Sequence, residues 1–342
     1  MIKNSDRLWP EGKRFAFTIV DDTDCATIQN VKPVYDFLHQ NGLLITKTVW
    51  PLATTQRPGT GGDTLANADY RAWVQSLQLQ GMEIAYHGAT DHTSPRERTI
   101  ESLDTFKALV GHDPYVYASH VGQREAMYWG AARLDGLARA FFRTLNLLGR
   151  RDDRYFGEVC ESPLFWGDIC KERITYTRGF TVKDINTLRF DPLMPYHDPG
   201  RPYVRYWFSS SDGARLNDFV RLIAPDSQDR LMAQGGACIV YTHFGNGFVV
   251  DGKLNPDFKR LMERIARLPG WFVPAAKLLD HLRSQPGWIQ NVNRNRLRSM
   301  QWTWLRENLG PDQWARLLKR IRRSRKVLTS RRDHTGTNDR IG

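Results

Sequence analysis

The distribution of apolar and polar positions along the first third of the chain alternates between two periods. Residues 15–20, "FAFTIV", form an unbroken apolar run of strand length, ended abruptly by "DDTD". "ATIQNVKPVYDFLHQNG" then places Ile28, Val31, Val34, Tyr35 and Leu38 on one helical face and stops at Gly42. A second strand, "LLITKTV", a helix over residues 66–80, a third strand, "MEIAY", a helix in "SPRERTIESLDTFKALVG" and a fourth strand, "YVYAS", follow in turn. This β/α rhythm predicts a parallel sheet covered by helices, either doubly wound or closed into a barrel. In both architectures ligands sit at the carboxyl ends of the strands.

Residues 150–212 lose this rhythm. They are rich in Pro, aromatic residues and Asp, and read as long loops over a site. The pattern resumes with a helix in "ARLNDFVRLI", a strand in "GGACIVYTHFG", a helix in "NPDFKRLMERIARL", a short strand in "GWFVP" and a helix in "AAKLLDHLRS". Beyond Pro286 the chain turns rich in Arg and Trp.

Composition changes this picture in one respect. The 342 residues are 41% hydrophobic and 25% charged, ordinary for a globular protein with a core. The formal net charge of +12 is concentrated at the end: residues 283–342 hold 15 Lys/Arg against 4 Asp/Glu, a net of +11, leaving +1 for residues 1–282. The nearly neutral body argues against nucleic acid as the partner of the main domain. Four widely spaced cysteines without a CxxC pair, and an N-terminus without an apolar core of signal-peptide type, predict a reducing, cytoplasmic setting.

The candidate chemistry gathers after three strands. Asp21, Asp22 and Asp24 follow the first, His87, Asp91 and His92 follow "MEIAY", and Thr242–His243 follow "ACIVY". In a parallel sheet all three clusters meet at one end. Two imidazoles and a carboxylate are a common ligand set for a catalytic divalent metal with an open position. A further carboxylate and a further His could supply base and acid, so the inventory fits metal-assisted hydrolysis. Asp24, directly before "CATIQNV", reads as the N-cap of the first helix.

The order strand–Asp-Asp, strand–His…His, strand–Thr-His, then "GWFVPAAKLLDHL" resembles the polysaccharide deacetylase superfamily, carbohydrate esterase family 4, over about residues 12–283. The resemblance implies an irregular (β/α) barrel of about seven parallel strands over residues 1–284. It implies hydrolysis of an N-acetyl or other N-acyl group from an amino sugar or glycan, with a divalent metal, zinc by preference. Matched by position, "FTIVDDT" makes Asp21 the catalytic base and Asp22 a metal ligand, with Thr23 where the family has Gly. "HGATDH" carries one residue more than the family's His-x-x-x-His spacing, which makes His87 and His92 the remaining ligands, with Asp91 the alternative to His92. "CIVYTH" makes His243 the acid. The family's third and fourth motifs are not distinct here. His120 and Arg124, Trp166 and Asp168, and His197 are the candidates for lining a sugar pocket. The alternatives are an amidohydrolase acting on a non-sugar C–N bond and a catalytically impaired carbohydrate-binding protein. The sequence leaves the oligomeric state open.

The remainder, residues 285–330, reads as a basic, Trp- and Arg-rich helical extension, broken at Gly310-Pro311. Its second piece is amphipathic and suits an anionic membrane surface. Residues 331–342 read as disordered.

Overall fold

The computed structural model describes residues 9–149, 152 and 154–308. The amphipathic piece after Pro311 and the terminal tail expected to be disordered lie outside the described residues. The strands are β1 (Phe15–Asp21), β2 (Thr46–Val49), β3 (Glu83–Tyr86), β4 (Val116–Tyr117), β5 (Tyr176–Val182), β6 (Tyr206–Asp212), β7 (Ala237–Thr242), β8 (Val249–Val250), β9 (Lys253–Leu254) and β10 (Gly270–Phe272). The helices are α1 (Ile28–Gln40), α2 (Ala68–Leu79), α3 (Arg96–Val110), α4 (Gly136–Gly149), α5 (Gly167–Arg173), α6 (Thr187–Phe190), α7 (Leu216–Leu222), α8 (Pro225–Ala233), α9 (Pro256–Ala266), α10 (Ala275–Arg283) and α11 (Arg294–Asn308).

Strands β1 to β7 lie side by side, all parallel, and β7 pairs back onto β1 to close a seven-stranded barrel with helices around it. The expected (β/α) barrel is the observed one. Its irregularity is visible at β1. One edge of β1 is paired with β7 from Ala16 to Asp21. The other edge is shared: β10 takes Phe15–Phe17 and β2 takes only Val20 and Asp21. The short β10 fills the gap where β2 splays away, which is why "GWFVP" needs only three strand residues. With neighbours on both edges and cover on both faces, every residue of β1 is buried, the arrangement that demands an unbroken apolar run.

Successive residues of β1 face opposite ways. Phe15, Phe17 and Ile19 join the apolar layer under α1 and α2, whereas Ala16 and Val20 face the lumen with Ala85, Ala118, Ala237 and Ile239. Small lumen residues leave room for α10, whose Leu278 and Leu279 plug the amino-terminal end of the barrel. There Glu83 accepts hydrogen bonds from Thr46 Oγ1 (2.7 Å) and from the Ala276 amide at the start of α10 (3.0 Å).

Two expectations are corrected. The stretch 150–212, read as loops, contains β5 and β6, which supply two of the seven barrel strands. Their aromatic and serine content masked the strand signal, and "TYTRGFTV" carries an Arg and a Gly inside the strand. A register shift on β5 between Arg178 and Thr181 inserts one extra residue opposite β6, a bulge of the kind that re-aims side chains near sites. Arg178 and Thr181, three apart, therefore both face the cleft described below. In addition, Thr27, not Asp24, is the N-cap of α1, its amide bonded to Asn30 Oδ1 at 2.8 Å.

Helix α11, the first part of the basic extension, lies against the barrel, burying Leu297, Met300, Trp304 and Leu305 and packing Trp304 at a tilt against Phe142 and Phe180. Among the described residues no helix is long and apolar enough to cross a membrane.

Burial raises the Glu83 carboxyl to about 7, against the donors that favour its ionised form. Because the folded value lies above the unfolded one, stability is fullest below the unfolded value near 4.5 and falls as pH rises through 7. The expected loss is about 3 kcal/mol. Urea denaturation of wild type and Glu83→Gln across pH 4.5–8 checks this: the variant should lose that part of the pH dependence, and an unchanged profile would refute it.

Candidate active site

The carboxyl ends of β1, β3, β4, β5 and β7 open into a cleft of about 610 Å³. After β1 the chain makes a tight turn. The Thr23 amide donates to Thr48 Oγ1 (3.0 Å), the Thr23 hydroxyl meets Tyr70 OH (3.2 Å), and Cys25 takes a left-handed φ of 57°. Gly245 lies against this turn so closely that a Cβ there would stand 2.5 Å from the Cys25 carbonyl carbon. The turn swings Asp24 back into the mouth of the barrel.

Asp24 is the centre of the site. His87 Nε2, just beyond β3, lies 3.1 Å from its Oδ2, and His120 Nδ1, beyond β4, lies 2.8 Å from its Oδ1. The imidazoles are 5.4 Å apart, and Trp50 sits against both, 5.7 Å from His87 and 5.5 Å from His120. Burial favours the protonated form of Asp24, but the hydrogen bonds from His120 and His87 outweigh it and hold the carboxyl well below the usual range. Burial also lowers the His87 value, against the pull of Asp22 and Asp24, so its ring is neutral and can coordinate.

Donor atoms of Asp24, His87 and His120 lie within 4.8 Å of one another and are all buried. Zinc bonds of about 2.0–2.1 Å at tetrahedral angles separate ligand atoms by roughly 3.3 Å. The observed spacings of 2.8 and 3.1 Å need only a small expansion to match, and one carboxylate with two imidazoles is a donor set suited to zinc. The residues fit a divalent ion.

Asp22 faces the lumen beside this cluster. Arg178 holds it with both terminal guanidinium nitrogens, Nη1 and Nη2, at 2.9 and 2.5 Å, and stacks on Tyr241 at 4.6 Å. The side chains of both partners are nearly fully buried. The charge of Asp22 outweighs the burial that would lower the Arg178 value, so Arg178 remains a cation. His243 completes the mouth: its Nδ1 lies 2.8 Å from the Ala214 carbonyl, and its Nε2 stands 3.5 Å from Asp24 and 3.9 Å from Asp22. Asp22, Asp24 and His243 form a second convergent group. Asp22 there is already engaged by Arg178, so a cation in that group would displace a guanidinium.

The structure brings together Asp22, His87, His120 and His243 among the expected site residues, and it distributes the others elsewhere. Asp21 faces the opposite way from Asp22, beneath the site. It is fully buried, accepts from Tyr35 OH (2.7 Å) and the Phe244 amide (2.8 Å), and pairs with buried Lys47 at 3.1 Å. Asp21, expected as the base, does not line the cleft, whereas Asp22, one residue on, does. His92 is engaged elsewhere, with Nε2 2.7 Å from the Arg57 carbonyl. Asp91 accepts from the amides of Gly59 and Gly61. Neither belongs to the metal-capable groups among the described residues.

The remaining expected sugar contacts do not line the cleft themselves and are engaged by other partners. Arg124 pairs with Asp152 at 2.7 Å. Trp166 is buried against Tyr86 and Tyr117 and donates to the Glu125 carbonyl. Asp168 pairs with Arg96 at the surface. His197 Nδ1 lies against the carbonyls of Val204 and Arg205. The aromatic walls are instead Trp129, Tyr155, Tyr241 and Trp304. Of the missed residues Arg178 had the clearest sequence signal, a charge inside "TYTRGFTV", since a strand arginine facing a barrel lumen requires an anionic partner.

No family model matches the chain, and no curated protein matches it. Solved structures do overlay on it. One described as a polysaccharide deacetylase, from Mycobacterium smegmatis, gives a TM-score of 0.48 at 13% identity, covering 84% of this chain and 96% of that one. PuuE allantoinase gives 0.49 at 11% identity over 84% and 99%. One described as a polysaccharide deacetylase, from Pseudomonas aeruginosa PAO1, gives 0.48 at 12% identity over 82% and 95%. Likeness at this level establishes neither a shared family nor a shared activity.

The geometry makes two predictions. Lys47→Met strands the Asp21 charge in the interior and should cost about 3–5 kcal/mol in urea denaturation. The double variant with Asp21→Asn should recover part of that loss, and a neutral Lys47→Met would remove the pairing. For metal, zinc retained after dialysis should be near one per chain in wild type and His92→Ala. It should be lost in Asp24→Ala and His120→Ala, with affinity reduced beyond the roughly 10–100-fold typical of outer-shell changes. Elemental analysis decides the point, and full occupancy in Asp24→Ala would overturn the ligand set.

Proposed function

We propose that this chain is a metal-dependent hydrolase that removes an N-acyl group, acetyl by preference, from an amino sugar or glycan. The observation that carries this reading is the convergence at one barrel mouth of Asp24, His87 and His120 with the Asp22–Arg178 pair and His243. The aromatic walls suit stacked sugar rings, and the motif resemblance supports the same substrate class.

In this reading Asp24, His87 and His120 hold the ion, moving the ligand set from Asp22 and His92 to residues that meet in space. When bound, the ion would polarise the acyl carbonyl and lower the pKa of a water toward 7. Asp22 is the base. Arg178 fixes its orientation with two charge-assisted hydrogen bonds, and Asp22 accepts the proton of the attacking water at a carboxylate oxygen. His243, with Nδ1–H donating to the Ala214 carbonyl, presents Nε2 to the cleft. From Nε2 the protonated ring delivers a proton to the departing nitrogen, which would otherwise leave as a poor, anionic leaving group. Trp50 limits movement of the two ligand imidazoles, and the buried surroundings strengthen each of these charge interactions.

Acetate release from N-acetylhexosamines and their oligomers tests the proposal. Activity should depend on added divalent metal and vanish with a chelator. Asp22→Asn should lower kcat by about 10²–10⁴-fold while zinc stays bound. An unchanged kcat in that variant would discard Asp22 as base, and the absence of acyl release from every N-acyl sugar with the metal loaded would discard the reaction.

A further inference from the structure

Among the described residues three arginines are buried: Arg133, Arg178 and Arg201. Two are neutralised by carboxylates, Arg178 by Asp22 and Arg201 by Asp135 and Asp198. Arg133 is the exception. It ends the 3-10 turn Gly130–Arg133 ahead of α4 and is 7% exposed, yet no carboxylate among the described residues pairs with it. Its Nη1 donates to a backbone carbonyl, that of Gly179, at 3.3 Å. Its guanidinium lies 3.9 Å from the ring centroid of Trp129 and 5.1 Å from that of Trp304. These aromatic contacts orient a guanidinium without cancelling its charge. Burial lowers its value to about 10, with Arg178 and Arg201 adding to the effect and only Tyr155 opposing it. At neutral pH it still carries its proton.

Arg133 lines the same cleft as the Asp24–His87–His120 cluster, and its partner Gly179 directly follows Arg178. The carboxylates of the cleft are engaged elsewhere. Each has partners other than Arg133: Asp22 pairs with Arg178, Asp24 accepts from two imidazoles, and Asp152 pairs with Arg124 and Arg154. An isolated buried cation is costly to fold around unless something meets it. A planar guanidinium with free donors recognises carboxylate or phosphate oxygens, often with two parallel hydrogen bonds.

We propose that Arg133 is an anion-recognition residue of the cleft, and that the substrate is an N-acylated sugar bearing an oxyanion, a carboxylate or a phosphate, rather than a neutral one. This deepens the hydrolase reading and rests on it only for the position of the scissile amide. The Trp129 and Trp304 rings hold the guanidinium in place and present flanking faces for a sugar ring, so ring and charge are read together. A ligand with its charge at the Arg133 end of the cleft would place its amide toward Asp24.

The test is equilibrium binding by titration calorimetry to the full chain, zinc loaded. Three probes are used: N-acetylglucosamine, its 6-phosphate, and the uronic acid in which C6 is a carboxylate. At least one charged probe should bind roughly tenfold to a hundredfold more tightly than the neutral sugar, the range expected for a charge-assisted pair. The phosphate and carboxylate arms distinguish the two oxyanions. Arg133→Gln should erase the preference while leaving affinity for the neutral sugar within about threefold, and Arg133→Lys should retain part of it. Equal binding of all three probes to the wild-type chain would overturn the inference, as would an equal loss for all three in Arg133→Gln. If Arg133→Gln does not fold, the wild-type preference together with its change in Arg133→Lys decides the matter: a preference unaltered by that change also overturns the assignment. Acyl release is followed separately. Charge-selective binding without release keeps the anion site and removes the hydrolase reading, whereas release without charge preference does the reverse.

Discussion

Three carboxylates in four residues are buried at the end of β1, and the structure around them follows from the partner each one finds. A buried carboxylate without a partner costs several kcal/mol, so each aspartate requires a partner on the side to which the backbone directs it. Asp21 faces the helix layer and meets Lys47 and the Tyr35 hydroxyl. Asp22, one residue on, faces the lumen and meets Arg178 from across the barrel. Asp24, past a turn that reverses the chain, meets two imidazoles. The first two pairs tie β1 to β2 and β5. The third gathers the ends of β3 and β4 around one carboxylate.

This arrangement separates support from chemistry. The Asp21–Lys47 pair is sealed beneath the site and holds the floor in place. The Asp22–Arg178 pair is also buried, but it borders the cleft and leaves the carboxylate near His243. Only Asp24, with His87 and His120, offers lone pairs that converge without a competing cation. The division of roles comes from geometry, because all three side chains are chemically identical.

The cleft walls come from segments distant in sequence from this cluster. Trp129 and Arg133 approach from the turn before α4, and Trp304 from α11. A helix that reads as part of a basic appendage thus forms one wall of the candidate site. Its Trp304 also braces the Arg133 guanidinium, so removing the segment would alter the cleft as well as the surface.

Much of the fold was legible from residue periodicity. The apolar run of β1, the amphipathic spacing of α1 and the Gly111 stop after α3 are local signals, and local backbone preferences produce them. The motif order then indicated a closed barrel, and His87, His243 and the acidic end of β1 as its chemical centre. Strands β5 and β6 were not legible, because a bulge, an interior arginine and a serine-rich face replace the usual apolar pattern. Nor was the Asp24–His87–His120 cluster. The resemblance aligned Asp21 and Asp22 with base and ligand by counting residues, but a two-residue period sends neighbours to opposite faces, and one residue of register exchanges burial for the lumen. His92 was selected by spacing within a loop, whereas His120, at the end of a neighbouring strand, is carried to Asp24 by the sheet. The sequence by itself determined the residue types and the strand ends on which the chemistry stands. The tertiary structure alone decided which carboxylate meets which cation or imidazole, because that choice depends on side-chain direction and cross-barrel distance, and neither is encoded in separation along the chain.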